Sequence, residues 1–179
     1  MIEVLLQGRG GQGVVAGGEL LVKGAVKQGI FAQSIPFFGG ERRGAPVSSG
    51  VRISNEPIYT HESIKSADII AVFDISLINI VKLDMLKEQG ILLVNAPIAQ
   101  KLWKNLYYVD ATSIAKSFGL TIAGWPLVNT AMMGALAKIT GIIDVSDLKD
   151  IAAEQFHGDY GKLNADAVQK GADEVKKLE

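Results

Sequence analysis

The chain opens with an apolar run that leads directly into a cluster of glycines. Residues Ile2–Leu6 are apolar except for Glu3, and an amphipathic segment begins at Val14. Between them stand Gly8, Gly10, Gly11 and Gly13. This order predicts a strand, a tight turn and a helix, because glycine accepts positive φ and lets another group approach the backbone. A helix N-terminus gathers N–H groups and partial positive charge, so the turn is a candidate anion site. The G-x-G-x-x-G match identifies no particular ligand by itself.

The composition excludes several kinds of active site. The chain has 179 residues, a formal net charge of −1 and no cysteine. It therefore cannot use a thiolate nucleophile or ligate a conventional iron–sulfur cluster. Its two histidines, His61 and His157, are expected at surface or capping positions, so we predict no metal site and no catalytic residue. The near-neutral charge gives no reason to expect nucleic acid or an anionic membrane as the main partner.

The length fits a single domain over residues 1–179. The longest apolar tract, Ile69–Val81, is interrupted by Asp74, Ser76 and Asn79 and cannot form a membrane span of about 20 apolar residues. No basic region followed by an apolar stretch and a cleavage site stands at the N-terminus. With the absence of cysteine, this favours the cytoplasm. Hydrophobic residues make up 48% of the chain and the mean hydropathy is +0.24, which suggests apolar surface covered by a partner.

The hydrophobic pattern predicts strands and helices that alternate through the first two thirds of the chain. Strands are expected at Ile2–Gln7, Ile30–Phe38, Val47–Ser54, Asp68–Phe73, Ile91–Val94 and Tyr107–Val109. Pro36 suggests that the second strand lies at an edge. The turn Asn55–Pro57 suggests that Val47–Ser54 pairs with Ile58–Thr60 as a hairpin.

Helices are expected between these strands and throughout the last third. The predicted helices are Gly13–Lys27, Ile75–Lys87, Ala111–Phe118, Thr130–Thr140, Asp144–Phe156 and Asn164–Leu178. Asp110 and Asn129 are interpreted as N-caps, and Gly141 as a helix stop. The pattern indicates an α/β fold, a Rossmann-like three-layer arrangement in which helices flank a parallel or mixed sheet, with a mainly helical C-terminal third.

A dinucleotide or mononucleotide site at the first glycine loop is poorly supported. A Rossmann site needs an acid at the end of the second strand, yet Phe31–Phe37 contains none and Glu41 comes late. A P-loop needs a Lys and a Ser or Thr where Val14 and Val15 stand. The interpretations that remain are a nicotinamide or flavin site, and a tight turn that packs closely or faces a partner.

A second glycine loop, Gly39–Gly44, contains the adjacent arginines Arg42 and Arg43. Two guanidinium groups could grip a phosphate or a carboxylate bidentately. The alternative is a solvated turn in which Glu41 pairs with an arginine. Asp74 ends an apolar strand, where ligands bind in open α/β sheets, but we interpret it as the N-cap of the next helix.

Four motifs resemble one protein family. Gly8–Gly13 before a helix and Phe38–Gly44 before a strand resemble the gamma subunit of 2-oxoacid:ferredoxin (acceptor) oxidoreductases, a unit that is also fused into single-chain pyruvate:ferredoxin oxidoreductases. Asn129–Leu136 and Leu163–Gly171 also resemble that family, so the likeness covers nearly the whole chain. One departure is Gly40, where relatives often carry a bulkier or different residue.

The resemblance implies a complex that oxidatively decarboxylates a 2-oxoacid, transfers the acyl group to coenzyme A and passes electrons to ferredoxin. The partners would be alpha, beta and delta subunits, and a contact between two copies of this chain is a further expectation. Thiamine diphosphate, magnesium and iron–sulfur clusters are then expected in the partner subunits, with no cofactor bound by this chain and no activity of the chain alone. The alternative is a stand-alone Rossmann-like nucleotide-binding protein or reductase.

The candidate site consists of the two glycine loops. If they converge at the carboxyl end of the sheet, their N–H and guanidinium groups would suit the anionic part of coenzyme A, the cosubstrate that the resemblance implies. The residues expected to contact coenzyme A phosphate or a neighbouring subunit are Gly8, Arg9, Gly10, Gly11, Gln12, Gly13, Arg42 and Arg43.

Overall fold

A mixed β-sheet forms the centre of the chain. The computed structural model describes residues 1–37 and 43–179. The described strands are β1 (Ile2–Arg9), β2 (Phe31–Phe37), β3 (Pro46–Ser54), β4 (Ala67–Val72), β5 (Leu86–Asn95), β6 (Leu106–Val109), β7 (Thr121–Ile122), β8 (Trp125–Pro126) and β9 (Lys176–Lys177). Seven of them form one sheet in the order β2-β3-β1-β4-β5-β6-β9, and β7 pairs with β8 separately. Strands β1, β4, β5 and β6 are parallel, whereas β3 is antiparallel to both β1 and β2.

Five α-helices complete the described elements. They are α1 (Val14–Lys27), α2 (Ala111–Ser117), α3 (Asn129–Thr140), α4 (Val145–Phe156) and α5 (Gly158–Glu174). As predicted, Asp110 caps α2 by accepting a hydrogen bond from the Ser113 N–H at 2.9 Å, and Gly141 ends α3 with φ 64°. No described helix is both long enough and apolar enough to cross a membrane.

The central strands are buried on both faces. Val4 and Leu6 of β1 face the helices, whereas Leu5 between them faces the opposite side. The short apolar run of β4 behaves in the same way, with Ile69 and Ile70 on opposite faces. This two-sided burial explains why these strands are continuous apolar runs.

The two faces of the sheet are covered differently. The buried side chains of all five described α-helices belong to one apolar cluster on one face. The other face is covered by two single 3-10 turns, Ile75–Leu77 and Leu83–Met85, and by the segment that carries Leu102 and Trp103. The predicted α/β class, flanked mixed sheet and helical last third are therefore confirmed, and β2 with Pro36 lies at the sheet edge.

The predicted helix Ile75–Lys87 is wrong. The segment forms the two 3-10 turns, and β5 already begins at Leu86, which pairs with Ala67 of β4. Gly90 lies within β5. Because β-branched residues crowd in a helix and a free strand edge was available beside β4, sheet pairing prevailed over the local helical pattern.

The predicted hairpin between Val47–Ser54 and Ile58–Thr60 is also wrong. Strand β3 is paired along its length by β1 on one side and by β2 on the other, so neither edge is left for Ile58–Thr60. Instead, the Thr60 carbonyl accepts a hydrogen bond from the Gln33 side chain at 2.9 Å, which holds this segment against β2.

Two predictions in the helical third need correction. Asn129 is the first residue of α3 rather than its cap, because the Val128 carbonyl accepts the Met132 N–H at 3.0 Å and starts the helix one residue earlier. Helix α5 begins six residues before the predicted Asn164, since Gly161 lets it pack onto the α4 main chain. It ends at Glu174 because the residues that follow pair with β6.

Candidate functional site

The first glycine loop lies at the carboxyl end of β1, as predicted, and turns directly into α1. Gly11 and Gly13 adopt positive φ values of 101° and 80°. A β-carbon at Gly8 would lie 2.8 Å from the Phe73 β-carbon, so close packing against the end of β4 requires glycine there. The first helical hydrogen bond runs from the Gly17 N–H to the Gly13 carbonyl, and the N–H groups of residues 14–16 precede that ladder.

Gln12 holds the loop together from inside. Its side chain is only 5% exposed. Its Oε1 accepts a hydrogen bond from the Arg9 N–H at 2.7 Å, and its Nε2 donates to the Phe73 carbonyl at 3.4 Å. Asn95 donates to the same carbonyl at 2.8 Å. Gln12 is therefore a buried part of the loop, and its predicted contact with a ligand stays a prediction.

Arg9 is also engaged within the chain. Its Nε donates to Asp74 Oδ2 at 2.8 Å, its Nη2 donates to Ser76 Oγ at 2.9 Å, and its Nη1 donates to the Gly44 carbonyl at 3.0 Å. Burial by itself raises the pKa of the Asp74 carboxyl, but hydrogen bonds from Ser76 and Arg9 and the Arg9 charge outweigh it and hold that pKa below its ordinary value. The Arg9 charge is thus offset by an ionised partner.

This ion pair lies at the carboxyl ends of β1 and β4, because Arg9 ends β1 and Asp74 follows β4 by two residues. In doubly wound sheets, dinucleotides bind in the crevice outside these strand ends. The prediction that Asp74 is an N-cap is confirmed for a 3-10 turn, since Asp74 Oδ1 accepts the Ser76 N–H at 2.9 Å. Sequence reasoning missed its pairing with Arg9, which joins positions 65 residues apart.

The second glycine loop meets the first. The Gly10 N–H donates to the Ala45 carbonyl at 2.8 Å, and the Gly44 N–H donates to the Gly10 carbonyl at 3.0 Å. A β-carbon at Gly11 would lie 3.9 Å from Arg43 Cγ. The structure therefore brings Gly8–Gly13 and Arg43 together. Arg42 and Glu41 lie outside the described residues.

Trp125 packs over both glycine loops. A β-carbon at Gly11 would lie 3.8 Å from Trp125 Cβ and Cγ, and one at Gly44 would lie 3.6 Å from its ring. The tryptophan stands on β8 after a two-residue turn, Ala123–Gly124, in which both φ values are positive. Sequence reasoning missed this contact because Trp125 belongs to no periodic aromatic pattern.

A cleft of about 530 Å³ lies beside the two glycine loops. Its lining consists of Arg9, Gly10, Gly11, Gly13, Val14, Val15, Ala16, Arg43, Val47, Ile122 and Leu127. No acidic residue is among the described residues that line it. Because Asp74 offsets the charge of Arg9, the positive potential of the cleft comes from Arg43 and from the start of α1. The arrangement suits an anion attached to an apolar body.

Neither histidine is among the described residues that line the cleft. Both histidines are exposed, and His157 lies beside Val26 and Lys27 near the far end of α1. Over residues 1–37 and 43–179, no group of three or more His, Asp or Glu residues is placed to hold a metal ion.

The two helical motifs that support the family resemblance form one packing interface. A β-carbon at Gly134 of α3 would lie 1.9 Å from the Val168 carbonyl oxygen, and one at Gly171 of α5 would lie 2.0 Å from the Ala131 oxygen. Within this interface Thr130 and Asn164 share a buried hydrogen bond of 3.1 Å. Asn129–Leu136 and Leu163–Gly171 therefore bring two helix backbones into contact.

The chain is similar to subunits of oxidoreductases over its full length. A family model described as pyruvate ferredoxin/flavodoxin oxidoreductase matches residues 3–174. The Pyruvate/ketoisovalerate oxidoreductases common subunit gamma of Pyrococcus furiosus is 39% identical over 188 aligned positions, which cover 100% of each chain.

Solved structures share the fold. Pyruvate oxidoreductase subunit PORC of Thermotoga maritima superimposes with a TM-score of 0.86 at 30% identity, over 99% of this chain and 98% of that one. The 2-oxoglutarate:ferredoxin oxidoreductase of Magnetococcus marinus, solved with 2-oxoglutarate, coenzyme A and succinyl-CoA bound, gives a TM-score of 0.77 at 19% identity. It matches 95% of this chain but 30% of that longer chain, and it shows the fold alone.

Proposed function

The chain belongs to the pyruvate ferredoxin/flavodoxin oxidoreductase family, and from that premise we propose that it is the gamma subunit of a multi-subunit 2-oxoacid:ferredoxin oxidoreductase. The observation that carries this proposal is the end-to-end match to a gamma subunit at 39% identity. The stand-alone nucleotide-binding alternative is not supported, and the Arg9–Asp74 pair lies at the carboxyl ends of β1 and β4, where such a protein would bind its ligand.

The chain contributes binding surfaces, and its partners contribute the cofactors. The absence of cysteine supports the assignment of the iron–sulfur clusters to other subunits. We assign thiamine diphosphate and magnesium there as well, in the alpha, beta and delta subunits, with ferredoxin as the electron acceptor. We further propose that residues 1–179 act as one gamma-type domain in the cytoplasm.

The cleft beside the glycine loops is the proposed contact for the anionic part of coenzyme A. The start of α1 has no acid in its first turn, and Arg43 stands beside Gly11, so both favour an anion there. The competing assignment is that Arg43, with Arg42, forms ion pairs with a neighbouring subunit.

Reconstitution tests the subunit assignment. The purified chain alone should show no 2-oxoacid-dependent dye reduction, because it has no cysteine and no group of described side chains is placed to hold a metal ion. The same assay with the partner subunits, in the presence and absence of this chain, should show turnover that depends on it. Robust turnover by the lone chain would refute the proposal.

The variant Arg43→Ala in the assembled complex tests the coenzyme A contact. Loss of one charge-assisted hydrogen bond should raise the KM for coenzyme A about tenfold while the complex stays intact, if about 1.4 kcal/mol of binding is lost uniformly. Lys162→Ala removes a positive charge from an exposed site on α5 and is the matched control. Unchanged coenzyme A kinetics in an intact complex contradict the contact, whereas dissociation of the subunits supports the interface assignment.

A further inference from the structure

The two edges of the seven-stranded sheet differ in how they are protected. One edge is β9, which consists of two exposed lysines, Lys176–Lys177. Short strands and lysine side chains keep a sheet edge from pairing with another chain. The other edge is β2, which has seven residues and no charged side chain. Every residue of β2 is exposed or half-buried, and its own sequence offers no such protection apart from Pro36.

The hydrogen bonds of the neighbouring strands show which main-chain groups of β2 point outward. The Gln7 carbonyl accepts the Phe73 N–H at 2.7 Å, so the main chain of Gln7 points toward β4 and away from Ser48, its partner on β3. The main-chain groups of Ser48 therefore point toward Phe37 of β2. Because successive residues of a strand point these groups in opposite directions, every second residue of β2 points its groups away from β3. Those residues are Ala32, Ser34 and Pro36.

These outward groups form an open edge. No hydrogen bond joins the Ala32 or Ser34 main chain, or the Pro36 carbonyl, to another residue in the part of the chain that the structure describes. Pro36 has no N–H, and at an outward position the missing donor costs no bond to β3. An uncharged edge with open N–H and C=O groups is a template for another strand.

A second copy of β2 matches this edge in its side chains. Antiparallel pairing about a two-fold axis at Ser34 sets each Phe31 opposite Phe37 of the other copy, because the two residues are equally distant from Ser34. Phe31 is 47% exposed and Phe37 is 36% exposed, and strand alternation points both to the same face of the sheet. The pairing would cover these rings as aromatic cross-strand pairs and would bring no like charges together.

The same axis also suits the main chain. The two Ser34 residues would exchange N–H···O bonds, and each Ala32 N–H would meet the Pro36 carbonyl of the other copy. The missing Pro36 donor falls at the two ends of the pair and not at its centre. Phe37 lines the pocket on the face without α-helices, so Phe31 of the other copy would extend the apolar surface beside that pocket across the axis.

We propose that β2 is an interface between two copies of this chain, which pair antiparallel about Ser34 and join their sheets into one. Such a contact uses the same surface on both copies and closes on itself as a two-fold dimer. The inference goes beyond the proposed function, to which it adds the contact that would join two gamma subunits.

Single cysteines test the pairing and its register, because the chain has no cysteine of its own. Phe31→Cys and Phe37→Cys are made in separate full-length chains, mixed while dilute, concentrated and treated with a mild oxidant. Opposite residues of an antiparallel pair have Cα atoms about 4.5–5.5 Å apart, which a disulfide can span. The mixture should therefore form a disulfide-linked dimer that contains one chain of each variant.

Each cysteine variant alone is the matched control for the mixture. In a dimer of one variant the two cysteines would stand six residues apart along the strand direction, about 20 Å, so we expect no cross-link. The mixed cross-link reports on this edge specifically, because association through another face would not bring Phe31 and Phe37 of two copies together.

Sedimentation equilibrium tests the central hydrogen bonds. The wild type should reach the mass of a dimer as its concentration rises. Ser34→Pro removes the central N–H while leaving the bonds to β3, and it should raise the Kd of the dimer at least about tenfold. Ser34→Ala removes the hydroxyl that contacts Ser49 Oγ at 3.3 Å but keeps the N–H, so it should dimerise like the wild type. Melting temperatures of both variants show whether the fold is retained, and the cross-link does not depend on either.

The interface is overturned if the wild type stays a monomer, if the mixture forms no cross-link where the wild type is dimeric, or if a folded Ser34→Pro variant dimerises like Ser34→Ala. Cross-linking by one cysteine variant alone, to the same extent as the mixture, also overturns the register. None of these measurements uses enzyme activity or the partner subunits, so their failure would leave the proposed function standing.

Discussion

At the scale of single residues, the glycine loop is shaped by polar side chains that hold it from within. Gln12 and Arg9 belong to the same motif as the glycines, yet both are used to bind the loop to the end of β4 and to the second loop. Arg43, which belongs to the second glycine loop, is exposed at the surface. Our proposed anion contact therefore relies on Arg43 and the loop backbone, because Arg9 and Gln12 are engaged within the chain.

The Arg9–Asp74 pair makes the folding stability of the chain depend on pH at acid values. The folded-state pKa of Asp74 is below its ordinary value of 3.8, so the pair stabilises the fold fully above that value and loses this contribution as the pH falls through the lower folded-state pKa. Asp74→Asn should lower the free energy of unfolding by about 1–3 kcal/mol near neutral pH. It should also reduce the loss of folding stability that urea unfolding measures between neutral and acid pH.

The matched control for that prediction is Glu62→Gln. Glu62 pairs with Lys65 at 2.9 Å, but both side chains are largely exposed, at 72% and 80%, so water and salt screen the pair. We expect no measurable change in stability. Equal effects of the two substitutions would show that the Arg9–Asp74 pair stabilises the fold no more than a surface contact.

At the scale of elements, the helical third depends on main-chain contact between α3 and α5. Gly134 and Gly171 let each helix reach a carbonyl of the other, and the buried pair Thr130 and Asn164 sets their register. Sequence reasoning took the motifs around these glycines as signs of family membership. The structure shows that the two glycines serve helix packing. This explains why the motifs around them can indicate the family although the glycines do not line the cleft.

Gly134→Ala should be strongly destabilising. Its new methyl group would lie 1.9 Å from the Val168 carbonyl oxygen, and a main-chain atom can move away only if the helices separate. Overpacking of a core costs about 1–3 kcal/mol, and because the neighbour here is main chain we expect a value near the upper end, which urea unfolding would detect. Lys138→Ala, at an exposed site on the same helix, should have little effect. A Gly134→Ala variant as stable as this control would contradict the close contact.

At the scale of the whole molecule, the two faces of the sheet differ in their cover. The face without α-helices contains a pocket of about 400 Å³ whose lining is mainly apolar, with Phe37 36% exposed and Ile80 61% exposed at it. The sequence predicted apolar surface that a partner covers, and Phe37 and Ile80 are exposed apolar side chains of that kind. This face agrees with a chain that functions in an assembly.

The lone chain should therefore self-associate at high concentration. Light scattering over a concentration series should show a rising average mass, and Ile80→Ser should reduce that rise because it removes an exposed apolar side chain from this face. Val26→Ser alters a residue of similar exposure, 58%, on the helical side and is the control. A constant monomer mass for the wild type would contradict the prediction.

The sequence by itself was sufficient where local pattern decides structure. The apolar run of β1, the glycine turn and the start of α1 follow from neighbouring residues, as does the two-sided burial of β4. The same holds for the cap at Asp110, whose partner is three residues away. In each case the sequence signal that predicts the feature lies within one element or one turn.

Only the tertiary structure decided the features that depend on distant partners. Residues 75–87 have an apolar pattern compatible with a helix, but pairing of Leu86 with Ala67 draws the end of the segment into the sheet. Trp125 meets Gly11 and Gly44, and Asn129 meets Gly13, across more than 80 positions of sequence. Contacts between remote segments carry no periodic signal in either segment, because the geometry that brings them together exists only once the sheet and helices have packed.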